Sequence, residues 1–196
     1  MTIIRVRIEG VAPLMQRRFS AGPIGPAETR PNQGAEDPLA QADASLYRGD
    51  DGVIYQPAVH IERALEEAGA QMGLPTRGAL FVQPDRIRHE GQKYIVDARP
   101  VTEGGARVMR YRARFDGWGL HFEIVLLNGR LTEAAVRGLL DHAGRYVGIG
   151  EYRPRLGRFV VTAWEIAGTG QPPGASQPAG SGPAALVPEK MSAWPP

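Results

Sequence analysis

A chain of 196 residues, 42% hydrophobic and 22% charged, is long enough for one well-buried core and too short for two ordinary domains. A formal net charge of only +2 excludes a histone-like polycation, and the absence of cysteine excludes disulfides, thiol nucleophiles and cysteine-ligated zinc. No apolar run approaches the ~20 residues of a membrane helix, and a start that enters strand pattern without a charged leader predicts a cytoplasmic protein rather than an exported or membrane-bound one.

Ile4, Val6 and Ile8 alternate with Arg5, Arg7 and Glu9, which predicts a half-buried first strand ended by Gly10 and Pro13. Residues 20–44, rich in Gly, Pro, Asn and acids, predict a mobile insertion loop. Pro57 is expected to open a helix, since its missing N–H is not needed there. Ile61, Ala64, Leu65 and Ala68 form one apolar face of that helix, and Gly69 or Gly73 closes it. The short apolar runs Leu80–Val82 and Tyr94–Val96 read as minor strands or edge pieces of a connecting segment.

The segment RVMRYRARFDGWGLHFEIVLL predicts a hairpin turning at Asp116-Gly117. Phe115 would then face Trp118, Ala113 Leu120, Tyr111 Phe122 and Met109 Ile124. The other face would set Arg110, Arg112 and Arg114 against Glu123, His121 and Gly119. Thr132 is expected to cap a second helix, with Glu133 in its first turn and an apolar stripe of Val136, Leu139, Leu140 and Ala143. The loop Gly144–Gly157 then leads into a last strand, Phe159–Ile166. The resulting order predicts an α+β fold: a ferredoxin-like βαββαβ antiparallel sheet with both helices on one face, spanning residues 1–167. Residues 168–196 predict a disordered Gly/Pro-rich tail. Its apolar beads Leu186, Val187, Met191 and Trp194 are either inert or a docking peptide, with Trp194 the candidate contact for a partner protein or a neighbouring copy.

Nearly all the positive charge is arginine, with lysine only at 93 and 190, and arginine's planar fork pairs bidentately with phosphate. Codon bias in a GC-rich genome would give the same composition. With both helices on one side of the sheet, Arg110, Arg112 and Arg114 belong to its open side, joined there by Arg5 and Arg7 beside His121. Such a ladder repeats at about 6.7 Å, close to the spacing of successive phosphates in an extended single strand. The bland alternative is a solvated face with cross-strand ion pairs such as Arg110–Glu123. That face carries no aromatic pair of the kind RNA-recognition motifs stack on bases, which predicts contact with the backbone and little sequence preference.

A second candidate is the loop Gly144–Gly157, where Gly148, Gly150 and Gly157 free the backbone and Arg153, Arg155 and Arg158 supply charge for an anion such as phosphate. The four histidines show no metal-ligand spacing and no serine sits in a nucleophile elbow, so no catalytic residue, metal or cofactor is assigned. His60, in the first helical turn and near Arg17 and Arg18, could serve as general acid or base in a metal-free ribonuclease, or simply be a surface or capping histidine.

The stretch GVIYQPAVHIERALEEAG resembles the RAMP-superfamily pattern in which a PGSSLKGALR-type motif opens the first helix. VGIGEYRPRLGRFVV resembles that superfamily's glycine-rich loop before the last strand, and GVAPLMQRRF after the first strand is in keeping. The order PLMQRRF, DGVIYQPAVHI, RFDGWGL and VGIGEYRPRLGRF is closer still to a group of phage and prophage proteins of this type. RAMP proteins include backbone subunits of CRISPR effector complexes, which polymerise along guide RNA, and CRISPR RNA-processing endonucleases. The resemblance implies that Gly148, Gly150, Arg153, Arg155, Gly157 and Arg158 hold backbone phosphate or stabilise the domain, and gives His60, where the pattern has serine, the same role. Glu62 and Glu66 stand where the family has a lysine and an arginine. The combined expectation is a non-catalytic, phage-type protein that binds single-stranded RNA or DNA and assembles along it as a homo-oligomer or filament. The alternatives are a phage structural or interaction protein without nucleic-acid contact, and a metal-independent RNA endonuclease.

Overall fold

The structure is a computed structural model and describes residues 1–18, 37–127 and 129–169. In chain order its elements are β1 (Thr2–Gly10), β2 (Leu14–Met15), α1 (Pro38–Ala44), β3 (Tyr55–Pro57), α2 (Ala58–Met72), β4 (Leu80–Gln83), β5 (Arg86–Arg88), β6 (Ile95–Glu103), β7 (Ala106–Phe115), β8 (Gly119–Leu126), α3 (Glu133–His142) and β9 (Phe159–Thr169). A single π-helical turn, Ala143–Val147, follows α3. The fold is α+β, with antiparallel sheets and three α-helices among the described residues. None of these helices is long and apolar enough to cross a membrane.

The main sheet has the order β4-β8-β1-β9, every pair antiparallel. Alternation along β1 buries Ile4, Val6 and Ile8, and the same parity on β8 buries Leu120, Phe122 and Ile124. These side chains share one core with Ile61, Ala64, Leu65 and Ala68 of α2 and with Val136, Leu139 and Leu140 of α3. Both helices end as their sequences predict. Gly73 closes α2 in the left-handed region at φ 70°, and the Thr132 hydroxyl accepts the Ala135 N–H at 3.2 Å to open α3.

The hairpin register predicted around Asp116-Gly117 does not form. β7 pairs with β6 on one edge, across a turn at Gly104-Gly105, and with β2 on the other, in a separate sheet of order β2-β7-β6. β8 is meanwhile flanked by β1 and β4. The apolar alternation along both segments is genuine, but alternation fixes which face is buried and says nothing about which strand lies alongside. Ala113 and Phe115 are buried, whereas Met109, expected opposite Ile124, is 47% exposed. The main-sheet strand between α2 and β8 is therefore the short β4, and β6 runs for nine residues where only Tyr94–Val96 was expected as strand.

Residues 38–44, expected within the mobile loop, are helical instead: the Asp37 side chain caps the helix by accepting the Leu39 N–H at 3.0 Å, and Pro38 occupies the first turn. The remainder of that predicted loop, and the predicted tail from residue 170 onward with Trp194, lie outside the described residues. The last strand runs on to Thr169.

His89 is fully buried, its ring 4.4 Å from that of Phe115. Nδ1 donates to the Gly91 carbonyl at 2.9 Å, leaving Nε2 as a buried acceptor with no partner among the described residues. Burial holds its pKa down at about 4. As pH falls below the ordinary histidine value, the unfolded chain takes up a proton that the folded chain refuses. Stability is therefore full above about pH 6.5 and declines by up to about 3 kcal/mol on approaching pH 4. Urea unfolding of wild type and His89→Gln between pH 7 and 4 is expected to show this share of the decline only in wild type. In the same assay Phe115→Ala is expected to cost about 3–5 kcal/mol and Met109→Ala less than about 1 kcal/mol. Comparable costs would restore the hairpin pairing of Met109 with Ile124.

Candidate nucleic-acid interface

Pro57 is the cap residue of α2, which places His60 in the first turn and Arg63 and Glu67 three and seven positions on, along one face. β2 holds Gln16 and Arg17 alongside through its pairing with β7. The third wall is the glycine-rich loop after the π turn. Together Gln16, Arg17, Gln56, His60, Arg63, Ile149, Gly150, Glu151 and Arg153 line a cleft of about 170 Å³. That is below the usual size of a small-molecule pocket and suits a group the size of phosphate.

Two fully buried amides set the chemistry of His60. Gln16 Oε1 accepts the Tyr47 N–H at 3.0 Å, so its Nε2 is the donor to the Tyr55 carbonyl at 2.9 Å and to Gln56 Oε1 at 3.0 Å. Gln56 is left with its own Nε2 to donate to His60 Nδ1. The imidazole proton therefore sits on Nε2, which has no hydrogen-bond partner among the described residues. Burial first, then the charges of Arg63 and Arg153, lowers the His60 pKa from its ordinary value. The ring is neutral at pH 7 and offers an N–H donor, which fits an anionic oxygen.

The arginines add charge at this point. Arg63 has no carboxylate partner among the described residues. Arg17 meets the part-buried Glu151, which it shares with Arg112, at 3.4 Å, and Arg153 meets the exposed Glu67 at 3.2 Å. An exposed pair such as Arg153–Glu67 is worth less than about 1 kcal/mol, so a phosphate can take over Arg153 at little cost. Arg17 also lines an adjoining groove with Arg18, Arg110 and Arg112, so the positive surface continues away from the cleft.

Of the two roles expected for the loop glycines, holding phosphate or stabilising the domain, the contacts fit the second. The N–H groups of Gly148, Ile149, Glu151 and Gly157 already donate to the carbonyls of Ala143, Gly157, Met15 and Pro13. Gly150, at φ 78°, lies where a Cβ would meet the Met15 carbonyl and the Leu14 side chain, and a Cβ on Gly157 would strike the Ile149 carbonyl. They allow the loop to pack on β2 and on itself. Arg155 and Arg158 are exposed and neither lines the cleft.

The predicted arginine ladder on the open face of the main sheet does not exist. Arg110, Arg112 and Arg114 lie on β7, in the other sheet. Arg112 is largely buried, 3.5 Å from Glu151 and 3.2 Å from the Tyr152 hydroxyl, and its guanidinium lies 5.7 Å from the Tyr152 ring. Arg114 is held by Asp97 at 3.0 Å and Asp116 at 2.8 Å. On the open face itself, Arg5 pairs with Glu123 at 3.2 Å, and Arg7 pairs with Glu90 and Glu9. His121 Nε2 reaches the same Glu90 at 2.9 Å. The Arg7 guanidinium is the main cause that keeps Glu90 below the usual carboxylate range. This face is an ion-pair network with charges of both signs.

Arg63, Gln16, Gln56 and Glu151 went unnoticed in the sequence. Arg63 was within reach, because i,i+3 spacing from His60 puts both on one helical face. The acids at 62 and 66 do not oppose the site, since Glu62 accepts the Val82 N–H of β4 at 2.8 Å and Glu66 approaches Arg77. Among the described residues no group of His, Cys, Asp and Glu is arranged to hold a metal ion. No protein-family model and no curated protein matches the chain. Replacing Arg63 with glutamine removes a cation beside His60 and is expected to raise its pKa toward the ordinary value in an NMR titration. An unchanged titration would place Arg63 away from the ring.

Proposed function

We propose that the chain is a non-catalytic, single-stranded nucleic-acid-binding protein of ferredoxin-like, RAMP type, which grips the sugar-phosphate backbone at the cleft of His60, Arg17, Arg63 and Arg153. The presence of Arg17, Arg63 and Arg153 with one neutral imidazole donor in a single cleft, against the one carboxylate of Glu151, carries this reading. The sheet order β4-β8-β1-β9 with α2 and α3 on one face agrees with the ferredoxin-like arrangement. The adjoining groove, where Arg17 and Arg18 face one acid, Asp37, gives a neighbouring phosphate a place to continue from the cleft. The outer edge of the eleven-residue β9, with half-exposed Val160 and Ile166, offers copies a place to assemble side by side along the ligand in the cytoplasm of a host cell. The charge-balanced open face favours a second reading, a phage interaction protein without nucleic-acid contact.

Anisotropy titrations of a labelled single strand across a salt series separate the two. Affinity is expected to fall steeply with salt. Replacing Arg17, Arg63 and Arg153 together with alanine should weaken binding at least tenfold and flatten the log–log salt slope by about 2, at roughly 0.7 for each phosphate no longer neutralised. Arg5→Ala should leave both unchanged. Absent or salt-insensitive binding would leave the interaction-protein reading standing.

A further inference from the structure

Next to the phosphate cleft, on the outer side of the β3–β5 ribbon, lies a surface with a different chemistry. The ribbon alternates strictly. Gln56 and Ile87 point inward and are fully buried, while Tyr55, Arg86 and Arg88 lie on the outer face. There Tyr55 stands opposite Arg88, and the Arg86 guanidinium lies 5.3 Å from the centre of its ring. Tyr47 packs beside Tyr55 at 5.9 Å between ring centres, and the other neighbour of Tyr47 is His60, edge-on at 5.3 Å. A continuous run of rings therefore links the imidazole of the phosphate cleft to Tyr55.

We infer that the Tyr55–Arg86 surface is a base-stacking site, occupied by an unpaired nucleobase of the strand whose phosphate sits at His60. The inference rests on the proposed nucleic-acid binding and specifies its ligand further. An open cleft of about 380 Å³ is lined by Tyr55, Arg86, Arg88, Val53, Asp50 and Asp51. Two carboxylates against two guanidinium groups leave this cleft without the surplus of positive charge that the His60 cleft offers a phosphate. An uncharged, polarisable ring suits it, because the guanidinium plane and the phenol ring both stack on π-faces. Neither Arg86 nor Arg88 has a carboxylate partner among the described residues, so neither must be released before a base arrives. A duplex hides the faces of its bases within the stack, so this site selects single strands.

The experiment compares a labelled twelve-residue deoxyadenosine strand with a strand of the same length and phosphate count made of abasic residues, by anisotropy at one salt concentration. Wild type is expected to bind the base-bearing strand about tenfold more tightly. Tyr55→Ala should erase that preference without changing affinity for the abasic strand, Arg86→Ala should reduce it, and Tyr55→Phe should keep it. Equal binding of the two strands by wild type would overturn the stacking site while leaving backbone binding intact. Equal weakening of both strands by Tyr55→Ala would also overturn it, by assigning Tyr55 to support of His60. Binding of neither strand would overturn both the stacking site and the nucleic-acid reading.

Discussion

Both edges of β8 are occupied, by β1 on one side and β4 on the other, and the rest of the molecule is arranged around that fact. β7 precedes it by a turn of three residues and finds no free edge, so it joins β6 and β2 in a second sheet. Trp118 marks the separation: its ring lies against Gly10, and its indole N–H donates to the Ala12 carbonyl at 2.8 Å. The β2 pairing in turn carries Gln16 and Arg17 to α2. Without the second sheet there would be no third wall for the cleft, since Arg112 of β7 also steadies Glu151 of the glycine loop.

The cleft combines rigid and yielding parts. Gln16 and Gln56 are buried and fully committed, and together they fix the ring proton of His60 without any charged group. Of the arginines around them, Arg153 is held by an exposed carboxylate, Arg17 by the part-buried Glu151, and Arg63 by no carboxylate among the described residues. A phosphate arriving there would find the neutral donor already positioned and could take over Arg153 by displacing only a weak pair. Electrostatic attraction is thus not set against a large desolvation of buried ions, which commonly offsets the attraction within interior ion pairs.

What the sequence revealed and what it concealed divide along a physical line. Periodicity within a segment was legible. The inward residues of β1, the apolar faces of α2 and α3, and the caps at Gly73 and Thr132 depend on neighbours a few positions away. Partner choice was not legible. The pattern from Met109 to Ile124 serves equally for a hairpin and for two strands in separate sheets, because each strand carries its parity with it. The same gap misplaced the arginines: Arg5 and Arg114 were grouped by an assumed neighbour and lie in different sheets. His60 and Arg153 were both marked as candidates, yet nothing local placed them in one cleft. Tyr47 and Tyr55 lay in segments with no strong periodicity, and only the folded chain sets them side by side.

The strict two-facedness of the β3–β5 ribbon restricts how this part of the chain can change in length. Gain or loss of one residue between Tyr55 and Pro57 would exchange the faces downstream, turning Gln56 out of the amide chain that orients His60. The same slip between Arg86 and Arg88 would drive a guanidinium into the core and expel Ile87. Related sequences that keep this architecture should therefore vary here by substitution, or by insertions of even length.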